Sequence, residues 1–264
     1  MPLNTRLLRA LLLAPLLVLA GCASVNGPTE PHDPYEGWNR SVYKFNDAVD
    51  KAVARPVAQA YEDYTPHVVN AGISNFFSNL DDVLVLTNDL LQAKFRQAAS
   101  DGGRLLWNST VGLFGLIDVA TAIDLPKHDE DFGQTLGYWG VEPGPYLILP
   151  LVGPSDVRDG IGTVGYWYAD PLNEVDDYRT YWAAATVRAV DRRAELLGAS
   201  RVLEQAALDP YVFTREAYFQ MRRSKVYDGK PPKEAQPDPF EEEFDPFAPD
   251  ATEPSATPQD GQQP

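Results

Sequence analysis

Cys22 is the side chain in this sequence with the clearest covalent fate. It is the only cysteine. It closes Leu19-Ala20-Gly21-Cys22, which resembles a lipobox, where the thiol is acylated and the cysteine becomes residue one after cleavage. Arg6 and Arg9, then an apolar run over 11–19, form the basic and hydrophobic regions of a secretory signal, not a membrane span. With one thiol no disulfide forms within the chain, so an exported domain relies on its core. Other groupings carry less. His128 stands beside Asp129, Glu130 and Asp131, but adjacent side chains rarely converge on one ion and the other histidines are His32 and His67. A polar loop is expected there, not a metal site. Asp81-Asp82 and Asp176-Asp177 are adjacent pairs that suit solvation or capping. Ser155-Asp156-Val157-Arg158 reads as a helix start with Ser155 as N-cap, in preference to a gate or ligand contact. G-x-S-x-G, Walker A, G-x-G-x-x-G and H-E-x-x-H are all missing, so catalysis is not expected.

The element most in need of explanation is residues 132–160. From Phe132 through Ser155 the only charge is Glu142, while Gly133, Gly137, Gly140, Gly144 and Gly153 alternate with Pro143, Pro145, Pro150 and Pro154. Such punctuation excludes a long helix or a central strand, and such apolarity is foreign to a solvated loop. The expectation is irregular backbone against a core or lipid, with its polar groups satisfied internally or by a water-filled cavity. Residues 105–123 form a second weakly charged stretch, with only Asp118 charged. A run this short is either a buried core helix or an interfacial or re-entrant segment.

After a 21-residue signal (1–21), Cys22 and a lipidated tether (22–34) precede a domain over 35–230, long enough for a substantial core. Ala23, where an Asp would favour the inner membrane, favours the outer one. Formal net charge is −16. An acidic surface excludes nucleic acid as a partner and electrostatic docking on anionic lipid. Residues 231–264 hold nine acids and one lysine among many prolines and read as a disordered tail.

Along the chain, Trp38, Val42, Phe45, Val49 and Val53 predict an amphipathic helix broken at Arg55-Pro56. Two or three helices are expected over 66–107, with Asn79 or Asp81 capping one of them. Val164, Trp167 and Tyr168 suggest a short helix ending at Asp170-Pro171. Residues 178–197 suggest a longer one closed by Gly198. Asp209-Pro210 starts a last helix, with Phe213, Ala217 and Met221 on one face. The fold class is mainly α.

Several blocks in order give a more specific reading. Asp33-Pro34-Tyr35-Glu36-Gly37-Trp38-Asn39-Arg40, Tyr64-Thr65-Pro66, Asn75-Phe76-Phe77-Ser78-Asn79-Leu80, Phe132-Gly133-Gln134-Thr135-Leu136-Gly137, Gly144-Pro145-Tyr146 and Asp209-Pro210-Tyr211 resemble the MlaA/VacJ lipoproteins over roughly 33–230. The resemblance implies a compact, ring-like helical domain in the inner leaflet of the outer membrane. It implies an amphipathic channel that removes mislocalised phospholipids from the outer leaflet and passes them to the periplasmic carrier MlaC, with a trimeric porin as companion and no cofactor. Under it the channel lining is sought over 105–160, including Asp118. The gate is sought around Gly140, Gly144, Pro145, Tyr146, Pro150 and Gly153, and on the helix carrying Phe45 and Asn46. A non-transporting structural lipoprotein and a lipid hydrolase are the competing readings.

Overall fold

The structure, a computed structural model, describes residues 31–232. The signal peptide, Cys22, most of the tether and the tail from 233 onward lie outside the described residues. Asp33, assigned to the tether from sequence, is fully buried.

Helix α1 (Glu36–Val49) does not stop before proline. It runs through a π-helical turn (Asp50–Ala54) into α2 (Arg55–Tyr64). Pro56 removes a backbone donor and crowds the carbonyl one turn back; the wide turn, closed by Arg55 N–H to the Asp50 carbonyl, absorbs the defect. Asp50 then anchors the bend through Arg193 at 2.5 and 2.9 Å. Thr65, extended before Pro66, ends α2.

α3 (His67–Leu91) is one helix of 25 residues, not two. The residues read as caps lie mid-helix because they bond to other elements. Asn79 donates to Ser109 Oγ at 2.9 Å, and Asp81 accepts from Tyr166 at 2.7 Å and from Arg188 and Arg192. α4 (Phe95–Thr110) packs along α3. Gly103 sits inside it, where a Cβ would come 3.3 Å from Leu125.

The stretch 105–123 is not a core helix. It comprises the end of α4, a tight turn and α5 (Val119–Ala122). Leu106, Trp107, Leu113, Leu116 and Ile117 are exposed, and Phe114 is 79 % so, while Asp101, Arg104 and Asn108 of α4 point inward. Leu113 and Phe114 take φ of 54° and 60°, a conformation that costs L-residues roughly 1–2 kcal/mol each.

α6 (Phe132–Tyr138) starts on its cap Asp131, which accepts from Gln134 N–H. The glycine- and proline-rich segment then forms a regular element that was not expected: an antiparallel hairpin of β1 (Tyr146–Leu149) and β2 (Gly153–Asp156), with Tyr146 opposite Asp156 and Leu149 opposite Gly153. Ser155 belongs to β2. Asp156, not Ser155, caps α7 (Val157–Ala169) by accepting from Asp159 N–H. A 3-10 turn (Pro171–Glu174) leads to α8 (Tyr178–Glu195), α9 (Leu197–Ala206) and α10 (Pro210–Val226). Gly198 lies within α9, because Leu196 keeps right-handed dihedrals and carries the chain onward.

α10 buries the face opposite to the expected one. Tyr211, Arg215, Tyr218 and Arg222 point inward, and Phe213 and Met221 are exposed. Contacts between neighbours close a circuit: α1 through the π turn to α2, then α8, α3, α6, α10, β2, β1 and back to α1. Among the described residues, more of the buried side chains are polar or charged than apolar.

Candidate functional site: a hairpin mounted on amide side chains

Asn39 and Asn46 lie seven residues apart, two turns along one face of α1. Asn39 Oδ1 accepts from Ile148 N–H at 2.9 Å, and its Nδ2 donates to the Tyr146 carbonyl at 2.9 Å and to Asp33 Oδ1 at 2.8 Å. Asn46 repeats the pattern at the tip, accepting from Leu151 N–H at 2.8 Å and donating to the Leu149 carbonyl at 3.0 Å. Tyr146 N–H donates to the His32 carbonyl at 3.0 Å. Asn39 and the His32 carbonyl thus occupy the free edge of β1, as a third strand would, and Asn46 holds the turn that follows it.

The tip is strained and apolar. Leu151 has φ 62° and is 70 % exposed; Val152 and Phe45 beside Asn46 are about half exposed. Gly153 takes φ 108° and Gly140 φ 91°, and a Cβ at either would meet nothing. Gly144 differs: its φ is 74° and a Cβ would come 3.2 Å from Val157. Pro145 precedes the buried Tyr146, and Pro150 lies exposed in the turn.

Beneath the hairpin, α10 supplies the base. Tyr146 and Ile148 pack with Val42, Tyr211 and Tyr218, flanked by Trp38 and Phe219. Tyr211 donates to Asp33, which Arg215 also meets at 3.1 Å. Tyr218 Oη bridges Asp156 at 3.0 Å and Asp159 at 2.6 Å, and Arg222 joins Asp131 at 2.5 Å to Asp159 at 2.9 Å. Burial lifts Asp156 to about 6, with the Asp159 charge adding and the Asp159 N–H bond opposing. Burial also raises Asp131, but Arg222 and Gln134 outweigh it and hold that carboxyl at about 2.

Of the residues singled out from sequence, Asn46, Tyr146, Pro150 and Gly153 come together at the hairpin, and Phe45 stands half exposed on α1 next to Asn46. Gly140, Gly144 and Pro145 lie on the approach to it. Asp118 belongs to another place. It caps α5 and is held by Thr121 at 2.5 Å, Arg104 at 3.0 Å and Asn108 at 3.1 Å. Those bonds overcome burial and keep its carboxyl at about 2. Asn39, Asp33 and the Tyr/Arg face of α10 went unread. The four-, three-, four-residue spacing of 211, 215, 218 and 222 is the signal that marks that face.

Among the described residues no group of three or more His, Cys, Asp or Glu is placed to hold a metal ion. None of the described helices is long and apolar enough to cross a membrane.

The family model for the MlaA lipoprotein matches residues 31–225. This chain belongs to the MlaA lipoprotein family. It is 39 % identical over 212 residues to the intermembrane phospholipid transport system lipoprotein MlaA of Shigella flexneri, covering 77 % of this chain and 82 % of that one. The lipoprotein of the same name from Haemophilus influenzae is 34 % identical over 258 residues, 90 % of this chain and 98 % of that one. A chain solved in work on the structural basis for maintenance of bacterial outer membrane lipid asymmetry is similar at a TM-score of 0.65 and 34 % identity, covering 75 % of this chain and 99 % of that chain. The MlaA match spans both the α1 mount and the α10 base of the hairpin.

Proposed function

We propose that this chain is an outer-membrane lipoprotein of an intermembrane phospholipid transport system, anchored through Cys22 in the inner leaflet. In this reading it forms an amphipathic passage that takes phospholipids from the outer leaflet and passes them to a periplasmic carrier such as MlaC, beside a trimeric porin. It carries out no reaction. The observation that carries the proposal is the inverted burial within a closed circuit of helices. Apolar side chains such as Leu106, Trp107 and Phe114 face outward, and the charged and amide groups face inward. Exposed apolar surface on this scale suits lipid better than water. A polar interior lowers the cost of moving a charged head group, which in bare hydrocarbon amounts to several kcal/mol.

The hairpin on α1 is the movable part. On the α1 side its tip is held by Asn46, whereas its base is fixed by Asn39, Asp33 and α10. Release at Asn46 frees residues 149–153 without unseating Tyr146. The test is outer-leaflet phospholipid on intact cells lacking this protein, complemented by wild type or by Cys22→Ser. Accumulation that only the anchored protein reverses supports the proposal. Equal outer-leaflet phospholipid with and without the protein, where no redundant system exists, favours a structural lipoprotein.

A further inference from the structure

We propose that Asp89 is carried as the neutral acid, sharing its proton with Asp101, and that this proton is a pH-sensitive latch joining α3, α4 and α6. The inference stands on the fold and holds whether or not the chain moves lipid.

Asp89 and Asp101 are both fully buried. Among the described residues none donates an N–H or O–H to either carboxylate oxygen of Asp89. An ionised carboxylate left so would cost several kcal/mol. Asp101 is differently placed: His128 Nδ1 lies 2.6 Å from one oxygen, and His128 N–H donates to the other at 3.3 Å. Asp101 therefore has partners of its own, and Asp89 is the carboxyl beside it that has none. Two carboxyl groups in contact hold one proton between them. The other facing groups supply no donor. Glu130, on the loop before α6, is taken by Lys94 at 2.7 Å and Gln92 at 2.8 Å. Lys94 also reaches Asp228 at 2.6 Å, and Gln92 Oε1 itself lacks a donor. A cation is the other way to fill an acceptor-rich enclave, but these oxygens are not arranged as a metal-binding group. Burial first, then Asp101 and the Glu130 charge, lift Asp89 to about 7 against the opposing charge of Lys94.

The position gives the proton leverage. Asn88 Oδ1 accepts from Thr135 Oγ1 at 2.7 Å, and the Leu91 carbonyl accepts from Trp139 Nε1 at 3.2 Å. The turn around Asp89 therefore carries the bonds from α3 to α6, and α6 leads through Gly140 to the hairpin. A folded-state value raised above the ordinary 3.8 means stability that is complete at low pH and lost as pH rises through about 7. Ionisation then sets Asp89 against Asp101 and loosens the joint.

The experiment is amide hydrogen exchange on the full chain from pH 5 to 8, corrected for intrinsic rates and read on peptides from the end of α3 and from α6. Local opening in wild type should rise with pH, by at most about tenfold per unit for one proton. Asp89→Asn, whose amide donates at every pH, should flatten the rise in these peptides. An unchanged slope in that variant overturns the proposal. Should the variant fail to fold, carbon-13 NMR of aspartate-labelled wild type decides. A carboxyl titrating above pH 6.5 supports the latch, and the lack of any such carboxyl sinks it.

Discussion

At Asn46 one amide makes both ends of a reversible contact, and its neighbours set what its loss would do. The side chain accepts from Leu151 and donates to Leu149, each bond worth about 0.5–1.5 kcal/mol net. Asn46→Ala should loosen the tip by about 1–3 kcal/mol, seen as faster exchange or proteolysis at 149–153, with Tyr146 still protected. Protection unchanged at the tip would mean that the amide does not hold it. The half-exposed Phe45 makes the contrast. Phe45→Ala should leave the unfolding free energy within about 0.5 kcal/mol of wild type, the range of a surface change. The two glycines on the approach separate by the same logic. Gly144→Ala combines a φ of 74° with a 3.2 Å contact to Val157, whereas Gly140→Ala meets nothing. Denaturant unfolding should therefore show both losing the ~1–2 kcal/mol of conformational strain, with Gly144→Ala the costlier because of its contact.

At the scale of elements, α10 supports the hairpin through the packing of Tyr211 and Tyr218 and ties the neighbouring elements together through charge pairing. Arg222 lies between Asp131, which caps α6, and Asp159, in the first turn of α7. Arg222→Met should cost about 3–5 kcal/mol, since Asp159 would stay buried with one of its cations gone. A loss under 1 kcal/mol, read from the same unfolding curves, would show the pair to be solvated. This face also explains what was legible in the sequence. Apolar periodicity finds a helix whose buried side is apolar, and it placed α1, α8 and α10 within a few residues. It chose Phe213 and Met221 for α10 because it takes buried to mean apolar, and in this fold the reverse holds. The hairpin was hidden for a related reason. β1 finds its edge partner in Asn39 and Asn46, more than a hundred residues away, and no local pattern records that. Asp209-Pro210 was readable because a cap is a local interaction: Asp209 accepts from Tyr211 and Val212 N–H.

Across the whole molecule, the buried carboxyls fall into two sets of opposite sign. Asp131 and Asp118 are held at about 2, below the ordinary 3.8, so the stability they add is present above 3.8 and lost as pH falls toward 2. Both count for less than an enclosed pair would, their carboxylates being partly open to solvent. Asp156 is raised to about 6, so its contribution is present below 3.8 and lost as pH rises through 6; Asp89 acts in the same sense to about 7. Stability should therefore peak on the acid side, at about pH 4 to 5, and decline toward neutrality. A net charge of −16 pushes the same way, since a crowd of carboxylates repels itself as it ionises. Salt separates the two causes. Repulsion between exposed charges is screened at molar ionic strength, where the screening length is about 3 Å, and buried groups are screened much less. Urea midpoints measured from pH 3 to 8 should keep their decline in high salt, and Asp156→Asn should remove the part between 4 and 6. A decline that vanishes in salt, or a maximum at pH 7 or above, would place the pH dependence on the surface instead of at the hairpin base and the α3–α6 joint.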